Sequence, residues 1–235
     1  MTELAERLRV RFFGKQEHPY GTFEREVNRL LRPEHTLLDA GCGRTAPVLT
    51  TYLGKAGRLI GVDVVDFSVV IDGVELYKCD LANTGLPNQC VDVIMARSVM
   101  EHVANPAAVY QEFSRILRPQ GRIVFLTANL WDYASLIAVL VPNRFHPWIV
   151  ARTEGRQEKD VFPIEYKSNT RRAMYKNANS AGLAVERFDY LGQYPCYFMF
   201  NGGLFLFATC YEKIISSIPA LHGLRGWILC TLVKH

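Results

Sequence analysis

One stretch limits this chain more than any other. Leu37, Leu38, Asp39, Ala40, Gly41, Cys42 and Gly43 form a short apolar run that closes in an acid and two glycines. A short continuous apolar run bounded by turn residues reads as a buried strand of a parallel sheet. The strand spans residues 36–40. The next segment, residues 45–53, carries Pro47 in its first turn, Val48, Leu49, Tyr52 and Leu53 as a buried face, and Gly54 at its end, so it is predicted as a helix. Glycines between strand and helix let the backbone approach a ligand closely. The ends of parallel strands provide a crevice for one. A dinucleotide fingerprint would need glycine at position 46, where Ala46 stands. Taken alone, the turn is equally a tight strand-to-helix connection.

The rest of the chain repeats the alternation. Residues 1–22 are amphipathic and then turn-like at Gly14 and at residues 18–21. A helix is expected over residues 24–32, with Val27, Leu30 and Leu31 on one face and Pro33 beyond it. Strands follow at residues 58–64, 74–79 and 91–96. Asn105 and Pro106 open a helix as cap and first residue, with Val109, Phe113, Ile116 and Leu117 on one face. Pro119, Gln120 and Gly121 stop it. A fifth strand covers residues 122–127, a helix 169–181, a sixth strand 183–190 and a seventh 227–233. Strands alternating with helices predict an α/β fold, a mostly parallel sheet with helices on both faces. With 235 residues, 49% of them hydrophobic, the chain suffices for one such domain.

Acids recur where these strands end. Asp63 closes the second strand and is placed to accept both hydroxyls of a ribose, with Asp66 as a nearby competitor. Asp80 and Leu81 follow the third strand. A carboxylate there can accept from an adenine amino group, or can serve only an Asx turn. Arg97, Ser98, Val99, Met100, Glu101, His102 and Val103 follow the fourth strand and bring polar groups to the mouth of the sheet.

This ordered set resembles the class I S-adenosylmethionine-dependent methyltransferases. Residues 38–43 are similar to their first motif. Residues 79–81, 86–94, 98–103 and 117–122 are similar to later ones, in the family's order and closest to the branch acting on quinone precursors and other small molecules. The resemblance covers residues 30–128. It implies a Rossmann-like seven-stranded sheet of order 3-2-1-4-5-7-6 with the last strand antiparallel. It implies S-adenosyl-L-methionine as cofactor and a small-molecule acceptor. Asp39, Gly41, Cys42 and Gly43 would then meet the methionine part, Asp63 and Val64 the ribose, Asp80 and Leu81 the adenine, and Arg97 and Ser98 the neighbourhood of the sulfonium. Thr45 stands where the family often has glycine, which implies a tighter or hydroxyl-assisted turn. Gln120 also replaces a frequent glycine, in a loop where the exchange should matter little.

The resulting expectation is one methyltransferase domain over residues 1–235. Its cofactor core covers residues 23–128, and two insertions, residues 129–165 and 192–224, form an aromatic lid with the N-terminal 22 residues. The aromatic side chains favour a largely apolar acceptor, methylated at oxygen or carbon, although the same rings also suit core packing or an oligomer contact. His102 and His146 are the candidate general bases, with a structural role for His102 as the alternative. No metal is expected. The charge of +4 is mild and holds no basic run, so nucleic acid is not an expected partner. The run Ala96-Arg97-Ser98-Val99-Met100 also lacks the Asp/Asn-Pro-Pro-aromatic pattern of base-amine methyltransferases. The six cysteines form no Cys-x-x-Cys pair, and the N-terminus lacks a leader's apolar segment, so a cytoplasmic protein with free thiols is expected. No spanning segment is expected, though a peripheral membrane contact remains open. The different-class alternative is a non-catalytic S-adenosylmethionine-binding partner or sensor.

Overall fold

The computed structural model describes residues 1–140 and 162–235. They divide into two compact units. One comprises Phe23–Thr127, Glu165–Asp189 and Ile228–His235; the other comprises Met1–Thr22, Ala128–Ile164 and Tyr190–Trp227.

The first unit is organised by a seven-stranded sheet of order β3-β2-β1-β4-β5-β7-β6. Its strands are β1 (Thr36–Ala40), β2 (Arg58–Asp63), β3 (Val74–Lys78), β4 (Val91–Arg97), β5 (Leu117–Ala128), β6 (Leu183–Leu191) and β7 (Trp227–Lys234). The pairs β1–β2, β1–β4, β2–β3 and β4–β5 are parallel. All five residues of β1 are buried, as its unbroken apolar character requires. The helix α3 (Pro106–Ile116) starts where Asn105 accepts a hydrogen bond from the Ala108 N–H, and it buries Val109, Phe113 and Ile116. The later helix α5 (Arg171–Ser180) is capped in the same way by Thr170.

Three local expectations are corrected. Residues 18–21 are not a separate turn: α2 runs from Pro19 to Leu30, with proline at its first position, where its missing N–H costs nothing. Residues 45–53 do not form an α-helix; only Leu49–Tyr52 coil, as one 3-10 turn. Ala46 takes φ 43°, out of helical phase, and the hydroxyls of Thr50 and Thr51 donate to the carbonyls of Pro47 and Val48, three residues back. Such bonds compete with the α-helical ladder. Finally, β5 begins at Leu117, and Gln120 sits within it at φ 62°, in the region that favours glycine. The β4–β5 register shifts beside it.

Glu26 on α2 is 2% exposed and is the hub of the sheet's far side. It accepts from Arg29 (2.8 and 3.1 Å), from Arg187 on β6 (2.7 Å) and from the Thr231 hydroxyl on β7 (3.0 Å). The Arg29 hydrogen bonds lead in holding its carboxyl down at about 2, against burial.

In the second unit, α1 (Glu3–Phe13) is capped by Thr2, and α6 (Gly202–Ser217) by Asn201. The α1 and α6 helices meet where Gly202 leaves room for Leu4; a Cβ there would lie 2.7 Å from Leu4 Cδ2. Ala5, Phe13 and Phe205 form the buried cluster, with Leu8, Tyr194, Phe198 and Met199 against it. The α4 helix (Tyr133–Leu140) sends Tyr133 between Phe198 and Tyr211, at ring centroid distances of 5.9 and 5.6 Å. Several aromatics of the expected lid are therefore packing residues, while Trp131, Phe200 and Phe207 are exposed. Phe145 and Trp148 lie outside the described residues. Among the described residues, no helix is long and apolar enough to cross a membrane.

Because its ligands are two arginines and a buried hydroxyl, Glu26→Ala is expected to cost about 2–3 kcal/mol at neutral pH by urea denaturation. Its folded pKa lies below its unfolded one. The stabilisation is therefore complete above pH ~4.5 and fades as the pH falls towards 2, and the gap between variant and wild type should close over that window.

Candidate functional site

The carboxyl ends of β1, β2 and β4 lie at the switch point of the sheet, where chain order reverses on either side of β1. Register places Asp39 opposite Gly61 on β2 and Met95 on β4. Past Ala40 the chain is pinned to β2. The N–H groups of Gly41 and Cys42 both donate to the Val62 carbonyl (2.8 and 3.2 Å), and the Gly43 N–H donates to Asp63 Oδ2 (2.8 Å). The other oxygen of Asp63 accepts from the Val65 N–H at 3.2 Å. One carboxylate thus holds two loops, and each of its oxygens keeps a second lone pair.

Gly41 and Gly43 adopt φ 78° and 74° for different reasons. A Cβ on Gly41 would lie 2.0 Å from Val99 Cγ2, so this glycine is demanded by packing. A Cβ on Gly43 would meet nothing within 4 Å, so here backbone faces open space. The Cys42 side chain packs against Gly61. Burial pushes its thiol far above the ordinary range, leaving a neutral packing residue. The left-handed position beyond the glycines is Ala46, not Thr45.

Asp39 is only 3% exposed, and its Oδ2 has no hydrogen-bond partner among the described residues. Burial pushes its carboxyl up to about 7; Arg97 opposes the shift and Asp63 adds to it. Arg97 in turn donates to Glu24 Oε1 at 3.3 Å. The Tyr52 hydroxyl is a second buried group without a partner among the described residues, and burial, then Glu24 and Asp39, push its phenol up. Each unsatisfied buried group costs about 1–3 kcal/mol unless something fills it. Ser98, at the end of β4, holds φ 57° while its N–H donates to the Leu126 carbonyl (2.8 Å). Such strain collects at functional sites.

The remaining expected residues divide. Asp80 Oδ1 accepts from the Ala82 N–H at 2.8 Å, the geometry of an Asx turn, and Leu81 beside it is buried. Val64 is half exposed at the end of β2. Asp66 is committed to Lys78 (2.6 Å), which leaves Asp63 as the acid on the glycine turn. Glu101 is buried and accepts from the Thr127 hydroxyl (2.6 Å), which itself accepts from Asn169 (2.8 Å). Its carbonyl takes the N–H groups of Glu165 and Tyr166. Glu101 therefore ties the segment after β4 to β5. His102 is partly buried in the short turn Met100–His102. His146 lies outside the described residues. Glu24 and Tyr52 were not anticipated: Tyr52 reads as one more apolar-face residue and Glu24 as a helix start. Among the described residues, no group of three His, Cys, Asp or Glu side chains is placed to hold a metal ion, and all six cysteines are free thiols.

Sheet order, glycine turn and motif order agree with the resemblance that the sequence carries to the class I S-adenosylmethionine-dependent methyltransferases of the small-molecule branch. In particular, residues 38–125 match the family model described as Methyltransferase domain (Methyltransf_11). The chain is 31% identical over 134 residues to the mitochondrial ubiquinone biosynthesis O-methyltransferase of Rattus norvegicus, covering 48% of this chain and 38% of that protein. It is 26% identical over 179 residues to the ubiquinone biosynthesis O-methyltransferase of Pseudomonas paraeruginosa, covering 63% and 75%. The chain spans only 33% to 38% of the length of three curated relatives it matches. Its fold is shared with geranyl diphosphate C-methyltransferase from Streptomyces coelicolor, a structure solved with Mg2+, geranyl diphosphate and S-adenosyl-L-homocysteine. The TM-score is 0.58 at 18% identity, covering 92% of this chain and 77% of that one.

The contact under Gly41 is directly testable. Gly41→Ala should cost at least about 2 kcal/mol in urea denaturation, from overpacking and left-handed strain together. Adding Val99→Ala should recover the overpacking share and leave the strain. Equal effects with and without Val99 would show that packing is not what demands the glycine.

Proposed function

We propose that this chain transfers a methyl group from S-adenosyl-L-methionine to a small, largely apolar molecule, at oxygen or carbon. The observation that carries the reading is Asp39: a buried carboxylate with an unpartnered oxygen, beside a glycine turn whose backbone faces open space. A buried acceptor of this kind fits a ligand bearing an ammonium, and S-adenosylmethionine has one. The Tyr52 hydroxyl is a second group that such a ligand would satisfy. When bound, the cofactor supplies a methyl group already activated on a sulfonium.

The chain's own part is to bind, orient and exclude water. Asp39 accepts from the ligand's ammonium, and the Gly41–Gly43 backbone lies along its amino-acid part. Asp63, with lone pairs to spare, accepts the ribose hydroxyls beside Val64, and Asp80 and Leu81 take the adenine. Arg97 would repel a sulfonium if its charge stood alone; Glu24 and Asp39 balance it. Holding a nucleophile in line is worth about 7–11 kcal/mol in favourable cases. For an acceptor hydroxyl or enol, His102 is the described residue assigned the role of general base, with His146 as the competing one. The O- and C-methyltransferases among the relatives and fold neighbours support both reaction types. The aromatic segments, residues 129–165 and 192–224, are assigned to the acceptor.

Calorimetry with S-adenosylhomocysteine tests the centre of this reading. Saturable binding is expected, weakened at least about tenfold by Asp39→Asn. No binding by folded wild-type protein would overturn it. Binding without cofactor consumption across phenols, quinols and prenyl acceptors would favour the non-catalytic sensor.

Asp39 also predicts a pH dependence. Its folded pKa, about 7, lies above its unfolded value, so the ligand-free protein should lose stability as the pH rises from about 4 to 7. The Asn variant should lose this slope and be the more stable form at pH 8, even as its affinity falls. For His102→Ala, a role as base predicts a kcat about 10²–10⁴ lower with cofactor affinity intact. Unchanged turnover would make His102 a structural residue.

A further inference from the structure

The unit containing α1 and α6 holds a half-open pocket of about 300 Å³ of its own. That is the lower end of the range for small-molecule sites. Phe13, Pro19 and Leu191 supply an apolar wall; Glu212, Lys213 and Arg225 supply charge. Two of these side chains are incompletely satisfied. Glu212 is 5% exposed, and its Oε2 has no hydrogen-bond partner among the described residues. The Nε of Arg225 is likewise buried and without a partner among the described residues. The rest of that guanidinium is fixed: Nη1 donates to the Tyr190 carbonyl and Nη2 to the Ser216 carbonyl, both at 3.1 Å, with His222 Nε2 3.0 Å away. Lys213 donates to the Phe12 carbonyl (2.6 Å) and lies 4.3 Å from the Phe13 ring centroid.

The two orphans restrict what can fill the space. An ammonium would serve Glu212 but face the charges of Arg225 and Lys213. A carboxylate can accept from Arg225 Nε and from a protonated Glu212 at once, and it balances the cations. Glu17, the other acid of the wall, is already taken by the Thr22 hydroxyl (2.9 Å). The environment of Glu212 favours its neutral form. Burial first, then Asp132 at the start of α4, push its carboxyl up to about 8, against Arg225 and Lys213. Tyr133 and Tyr211 are the other titratable groups in its reach. A buried carboxylic acid kept neutral is a hydrogen-bond donor.

We propose that this cavity is a binding site for a small organic carboxylate whose apolar body rests on Phe13, Pro19 and Leu191. The carboxylate lies between the Arg225 guanidinium and the Glu212 carboxyl, whose buried unpartnered atoms turn to it by side-chain rotation. The inference does not depend on methyl transfer or on which molecule accepts the methyl group. Gly192 gives a way to close the cavity. A Cβ there would sit 3.6 Å from Ser216 Oγ, 3.7 Å from Gln16 Nε2 and 3.9 Å from Arg225 Cδ, ordinary contacts inside the space. A larger side chain at this position therefore grows into the site.

Calorimetric titration of the full chain with benzoate, benzyl alcohol and benzylamine at pH 7 tests it. Benzoate should bind saturably at one site, at least tenfold tighter than benzyl alcohol, and benzylamine should not saturate. Gly192→Leu should abolish benzoate binding while leaving the circular dichroism spectrum and melting temperature near wild type. Glu212→Gln, which keeps an N–H donor, should bind benzoate equally at pH 7 and pH 9, whereas the wild type should weaken at least fivefold by pH 9. A site filled only by ordered water would show no saturable heat with benzoate, which overturns the proposal. So would equal affinity for benzyl alcohol, or benzoate binding that survives Gly192→Leu. Should the leucine variant not fold, identical pH dependence in wild type and Glu212→Gln overturns it instead.

Discussion

The Val62 carbonyl and the Asp63 carboxylate, taking three consecutive N–H groups from Gly41, Cys42 and Gly43, are what the site hangs from. A parallel sheet delivers β1 and β2 to the same edge but does not say how the chain leaves β1. These three bonds do. They accompany the left-handed backbone that only glycine adopts freely, at Gly41 and Gly43, and Val99, beyond β4, packs where a side chain on Gly41 would stand. The backbone that faces a ligand is therefore set by main-chain bonding to a neighbouring strand, with few rotatable side chains involved. That is the condition for a preorganised site.

Against this rigid frame, the polar groups of the site are poorly satisfied. Asp39 and Tyr52 are buried with unpartnered atoms, and Ser98 holds a strained backbone. Elsewhere in the same unit, buried acids are partnered: Glu26 takes two arginines and a hydroxyl, and Glu101 a hydroxyl. The contrast is informative because the unit can plainly satisfy a buried carboxylate where nothing has to bind. At the switch point of a doubly wound sheet, the unsatisfied Asp39 and Tyr52 groups mark the place where a ligand completes the structure.

Much of this was legible in the sequence because the chemistry and the periodicity coincide. Apolar runs leading to acids marked the first three strands and Asp39, Asp63 and Asp80 at their ends, an apolar run alone marked the fourth, and Asn105 with Pro106 marked the start of α3. The failures were local. Pro19 and Gly21 read as a turn, although proline is equally at home in a first helical turn. Residues 45–53 carry a helical pattern of apolar positions, but Ala46, Thr50 and Thr51 divert the backbone. Glu24 and Tyr52 were missed since their roles arise from tertiary neighbours: nothing in sequence spacing shows that Glu24 meets Arg97, or that the Tyr52 hydroxyl lacks a partner. The expectation that Gln120 would matter little depended on its lying in a loop, whereas it occupies a left-handed kink in β5.

The strand order carries a further consequence. The strand latest in the chain, β7, does not lie at the sheet's edge; it separates β5 from β6. During synthesis β6 leaves the ribosome well before the strand it must hydrogen-bond to. Until residues 227–234 emerge, β5 and β6 both present open edges, which are templates for pairing with other nascent chains. The order that builds the binding edge early thus leaves the opposite half of the sheet exposed until late.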